Sequence, residues 1–132
     1  MSVIKIDNID YHIPIINYEI DPQILDGEAT ARTASVGWEM FRDPQGTIIN
    51  LNVTFGLLNT NNPNFVKLFN KIMHMGITKF VSVTFDIPAG VVITQDMYIV
   101  PDKIIMIKKI KDGITYWGQW PVKFIAKRAY NV

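Results

Sequence analysis

From Ile49 to Phe55 the chain alternates without a lapse, with Ile49, Leu51, Val53 and Phe55 on one parity and Asn50, Asn52 and Thr54 on the other. Successive side chains of a strand point to opposite faces, so this segment presents one apolar and one polar face. A helix would scatter the same residues around its axis. The segment therefore belongs to an antiparallel sheet buried on one side, and the abundance of isoleucine, valine and threonine elsewhere extends that reading to most of the chain.

Ser35–Phe41 is also strand-like, and Asp43-Pro44-Gln45-Gly46 carries proline and glycine at turn positions, which predicts a β-hairpin joining it to Thr47–Phe55. The period changes between Asn62 and Gly76. There Phe65, Leu68, Phe69 and Ile72 recur at three- and four-residue spacing and form one helical stripe. Asn62 is placed to cap this helix, Pro63 suits its first position, and Gly76 is expected to take the left-handed conformation after the last turn. Beyond it, Lys79–Phe85, Ile93–Val100 and Lys103–Ile110 are further strands, and Asp112-Gly113 signals a hairpin. A closing strand is expected from Thr115 to Tyr130, with Pro121 marking an edge or bulge. Lys108, Lys109 and Lys111 would keep an exposed edge from indiscriminate pairing. Asp21–Ala34 reads as the one long loop.

The fold expected is mainly β (α+β). It is an antiparallel β-sandwich or partly open barrel of about 7–9 strands with one amphipathic helix over about 63–75, in a single domain spanning 1–132. With 48% hydrophobic and 19% charged residues the chain has the apolar surface to offset its ordering entropy.

Thirteen basic and twelve acidic residues leave a net charge of +1, which gives no field for binding nucleic acid, and no sequence-specific nucleic-acid partner is expected. The apolar runs are short and no basic region followed by a long apolar stretch opens the chain, so neither membrane insertion nor a signal peptide is expected. The absence of cysteine excludes disulfides, thiolate metal sites and cysteine nucleophiles. Only His12 and His74 are present, and both read as surface residues, His74 at the helix C-terminus where a cation is favoured. Most carboxylates fall at turns, and no phosphate-cradling glycine loop, Gly-x-Ser-x-Gly elbow or zinc-protease helix occurs. No catalytic residue, metal site or cofactor is expected, and the chain is read as not an enzyme.

Tyr116-Trp117-Gly118-Gln119-Trp120 is the richest aromatic cluster. On one strand Trp117 and Trp120 would face opposite ways, one into the core and the other toward a neighbouring element, a subunit or a ligand. Arg32 and Arg42 flank the loop and hairpin and suit salt bridges to a neighbour. Together with Asn50 and Asn52 on the polar face of the central strand, these residues make a candidate subunit interface.

The order of elements resembles a family of small prophage proteins encoded among the tail genes of phages infecting Gram-positive bacteria. The resemblance rests on Ile4-Lys5-Ile6, on Tyr18, on Arg32 followed by Gly37 and Met40, and on Leu51-Asn52-Val53-Thr54-Phe55. It continues through the helix, Phe80–Asp86 with Pro88 behind it, Met97-Tyr98-Ile99-Val100, Tyr116-Trp117 and Val122-Lys123-Phe124-Ile125. Hairpins, one helix in mid-chain and then more strands are also similar to the tail-tube fold of tube, distal-tail and baseplate-hub proteins. The resemblance implies a structural virion protein that joins identical subunits through β-strands into a ring, trimeric or hexameric, beside neighbouring tail proteins. It would reside in the virion tail and, during assembly, in the host cytoplasm. Alternative readings are a carbohydrate-binding baseplate module and a head–tail joining or completion protein. If Ser35–Phe55 forms the inter-subunit hairpin, proline at Asn52 should block ring formation and leave a soluble chain.

Overall fold

The computed structural model describes residues 4–26, 31–32, 40–41, 44–56, 58–109 and 113–130. The elements run β1 (Ile4–Ile6), β2 (Ile15–Asp26), β3 (Ala31–Arg32), β4 (Met40–Phe41), β5 (Pro44–Phe55), β6 (Leu58–Asn59) and α1 (Pro63–Met73). They continue with β7 (Val81–Asp86), β8 (Val92–Pro101), β9 (Met106–Lys109), β10 (Thr115–Trp117) and β11 (Trp120–Ala126). The fold is mainly β with one helix, as expected, though the described strands number eleven because several are short.

All pairings among the described residues are antiparallel. Six strands form one sheet in the order β1-β7-β8-β11-β5-β2, three form a second in the order β6-β10-β9, and β3 pairs with β4. The large sheet does not close into a barrel, since no ladder joins β1 to β2. It curls nonetheless, because the Tyr18 hydroxyl on β2 donates to the Asp86 carbonyl at the end of β7, 2.6 Å away.

The alternating segment behaves as its pattern demands. Leu51, Val53 and Phe55 are buried on the concave face, joined by Val83 and Phe85 from β7, Met97 and Ile99 from β8, and Val122 and Phe124 from β11. Each such side chain contributes about 1.5–3 kcal/mol by leaving water. The helix covers this face with Phe65, Leu68 and Ile72. Phe65 and Phe69 lie 6.4 and 5.5 Å from the Trp120 ring, and Leu68 lines a small cavity together with Ile4, Ile6, Ile13 and Phe55.

Helix capping follows the sequence at one end only. The Asn62 side chain accepts the Asn64 N–H at 3.0 Å, with Pro63 in the first turn. At the other end Gly76 does not take the left-handed conformation; the helix tightens into a 3-10 turn over His74–Gly76 instead. That turn meets the backbone acceptors locally, as His74 accepts from Ile77 and Thr78.

Four other expectations are corrected. Pro44–Gly46 is not a turn: β5 begins at Pro44 and pairs with β2 from Asp26↔Pro44 to Ile15↔Phe55, so the hairpin partner of the alternating strand is Ile15–Asp26. Asp21–Asp26 and Ala31–Arg32 are consequently strand, not loop. The expected strand Thr115–Tyr130 breaks at Gly118-Gln119 into β10 and β11, which serve different sheets. Gly118 permits the break, since its N–H donates to the Ile105 carbonyl at 2.7 Å and a Cβ would stand 3.3 Å from that oxygen. Finally, β11 is a central strand between β8 and β5, so Pro121 marks no edge; it sits one residue before the β8 ladder begins at Val122↔Pro101. The hairpin signalled by Asp112-Gly113 is present as the β9–β10 pair, with Asp112 itself outside the described residues.

Candidate functional site

The most prominent surface feature is built by β2 and β5. Both are twelve residues long, yet β11 covers β5 only from Leu51 to Phe55. Asp21–Asp26 and Pro44–Asn50 therefore run on past the β5–β11 ladder as a two-stranded ribbon. The β3–β4 pairs Ala31↔Phe41 and Arg32↔Met40 continue the same hairpin. The C-terminal segment braces its base: Tyr130 N–H donates to the Thr47 carbonyl at 2.7 Å, and Ala129 Cβ would lie 3.0 Å from a Cβ on Gly46, whose φ is +133°. Along the ribbon Ile24 is 65% and Leu25 40% exposed. A two-stranded ribbon is marginal in water by itself, so one that exposes apolar side chains is a surface suited to a partner.

Of the candidate interface residues, Arg32 lies on the continuation of this hairpin and Asn50 at the ribbon's base, while Asn52, Trp117 and Trp120 lie away from it. Arg32 is on β3, and Arg42 lies outside the described residues. Asn50 is buried at 6% exposure, and its Oδ1 accepts the Ala126 N–H at 2.9 Å. Asn52 is half-buried on the convex face, in register with Glu19 on one side and Lys123 on the other. Trp120 is 1% exposed and belongs to the core, with its indole N–H donating to the Asp102 carbonyl at 2.8 Å. Asn50 and Trp120 thus spend their polar groups inside their own chain and offer no surface to a neighbour. Trp117 is half-buried in the smaller sheet, donating to Thr60 Oγ1 at 3.2 Å.

Trp117 lines an open apolar cavity of about 240 Å³ with Thr60, Phe65, Val66, Phe69 and Ile104. Its two polar groups, the indole N–H and the Thr60 hydroxyl, are engaged with each other, which leaves few partners for a sugar's hydroxyls. A second, polar groove of about 520 Å³ runs beside the start of β8, with Thr94, Gln95, Asp96, Arg128 and Tyr130 along it. Gln95 is already committed there, its Nε2 donating to the Ile49 carbonyl at 2.8 Å.

Two titrating groups are perturbed for structural reasons. Burial pushes the Tyr18 phenol up to about 12, and the nearby Asp86 charge adds to it. Burial alone would raise the Asp7 carboxyl, but the Lys71 ammonium and the Ser82 N–H outweigh it and hold Asp7 below the usual carboxylate range. Among the described residues no three His, Asp or Glu side chains gather as a metal cluster.

Sequence reasoning missed the strand Ile15–Asp26. Its signal was the alternation of Tyr18 and Ile20 with Glu19 and Asp21, which Pro22 obscured. Proline is tolerated there because β2 is an edge strand. Compared with known proteins, the chain matches no family model, no curated protein and no solved structure.

Proposed function

We propose that this chain is a structural protein of a phage or phage-like tail, acting in the tube, distal tail or baseplate and assembling with itself as a ring through inter-subunit β-strand contacts. The observation that carries the reading is the ribbon of β2 and β5, which extends past its own sheet with Ile24 and Leu25 in solvent. A strand edge left open by one subunit is completed by the next, so the edge that would be an aggregation hazard in a monomer becomes the assembly contact. The resemblance to small prophage tail proteins supplies the context. Recognition of host-surface saccharide by Trp117 has less support, because the cavity beside it is walled by apolar side chains.

The test is quantitative mass spectrometry of purified particles, with the capsid and tube proteins as internal standards, beside electron microscopy of the isolated chain. A copy number at a small multiple of three or six, with rings from the pure protein, is the expected result. Absence from the particle overturns the reading. Presence at the head–tail junction would instead favour a joining or completion role for the same surfaces.

A further inference from the structure

Resting on that reading, we infer that the subunit contact is head-to-tail: the free edge of β2 in one copy pairs with the free edge of β9 in the next, and opposite charge selects this pairing over the two symmetric ones. Both strands end their sheets, β2 beyond β5 and β9 beyond β10, so each has one row of backbone donors and acceptors with no ladder partner among the described residues. The two edges carry opposite charge. β2 bears Glu19, Asp21 and Asp26 and no basic residue, whereas β9 bears Lys108 and Lys109 and no acidic one.

Among the described residues Glu19, Asp21, Lys108 and Lys109 are not neutralised. None has an ion-pair partner among the described residues, and Glu19 and Asp21 accept only the side-chain amides of Asn17 and Gln23. All four residues of β9 are exposed, with Ile107 at 71%, and β2 offers Ile16 at 51%. Each edge therefore combines apolar contact area with a sign of charge. Two copies meeting through β2 would oppose carboxylates, and two meeting through β9 would oppose ammonium groups, so both isologous dimers are disfavoured. Of these three pairings, β2 against β9 is the one that brings unlike charges together. Such a contact is heterologous and generates a closed ring or an open filament rather than a two-fold dimer. Pro22, which has no N–H to give a ladder, interrupts the pairing on β2 at that one residue.

The experiment is sedimentation velocity of the full chain across concentration, with folding verified by circular dichroism. Four proteins are compared: the wild type, the pair Lys108→Glu with Lys109→Glu, the pair Glu19→Lys with Asp21→Lys, and all four reversals together. The expected result is self-association at least tenfold weaker in either pair, recovered on mixing the two pairs and recovered in the fourfold variant. Wild-type assembly should also weaken as salt is raised. If both pairs assemble like the wild type, the edge assignment is overturned while the ring reading stands. If neither mixing nor the fourfold variant restores assembly, the charge selection is likewise overturned. A wild type that stays monomeric at every concentration overturns the ring reading as well.

Discussion

The indole N–H of Trp120 donates to the Asp102 carbonyl at 2.8 Å and so supplies a bond that the adjacent Pro121 has no hydrogen to make. Asp102 N–H donates to the Pro121 carbonyl at 3.0 Å, and in an antiparallel pair the second residue would normally return the bond. Proline cannot, and the tryptophan beside it takes over. Trp120→Phe should then cost about 2–3 kcal/mol, from the orphaned carbonyl and the lost ring volume. Pro121→Ala should cost under about 1 kcal/mol and, combined with Trp120→Phe, should recover part of the loss because alanine restores the donor. Urea unfolding of the two single variants and the double variant measures this, and strict additivity would refute it.

Asp7 ties the end of β1 to both β7 and the helix. Its N–H donates to the Ser82 carbonyl at 2.7 Å, its Oδ1 accepts the Ser82 N–H at 2.9 Å, and its Oδ2 meets Lys71. Because its folded pKa lies below the unfolded value of about 4, its contribution is present above pH ~4 and is lost as pH falls through the folded value. Solvent reaches this carboxylate, so the contribution of its charge should not exceed about 1 kcal/mol. The wild type should be more stable than Asp7→Asn at pH 7, and the gap should narrow as pH falls below about 4 in parallel denaturation curves.

Gly46 meets two demands at once, a φ of +133° and room for Ala129. Gly46→Ala should destabilise the chain by about 1–2 kcal/mol. Adding Ala129→Gly should recover only the steric share, since the backbone strain remains. Thermal melts of both variants test the division.

Proline at Asn52 has a different effect from the one the sequence suggested. Asn52 is paired with Glu19 of β2 and Lys123 of β11, so its strand is interior on both sides. Asn52→Pro should therefore cost about 3 kcal/mol or more and compromise the monomer itself, not assembly alone. A folded, monomeric variant by circular dichroism and sedimentation would contradict this.

What could be read from the sequence was whatever is encoded over a few neighbouring residues. The alternation of Ile49–Phe55 announced a one-sided strand, and the stripe of Phe65, Leu68 and Ile72 announced the helix and its buried face. Partner choice is not encoded that locally. Pro44 and Gly46 look like turn residues in isolation, and only the register with β2 reveals them as strand. The same holds for Trp117 and Trp120, which parity assigned to opposite faces of one strand; the break at Gly118 puts them in separate sheets. For the proposed contact, the lysines of β9 were visible as an edge guard, but the complementary carboxylates of β2 acquired meaning only once that segment proved to be the opposite edge.

The pairing of Ile4↔Phe85 and the bond from Tyr18 to Asp86 tie an early part of the chain to residues far downstream. Loop closure over such separations is slow compared with forming a local hairpin or a helix turn. During synthesis β1 must wait for β7, and until β7 arrives Ile4 and Ile6 have no β7 to pair with. Folding should therefore finish as one late, cooperative event, so the nascent chain would spend most of its elongation as a substrate for chaperones and not as a partly built domain.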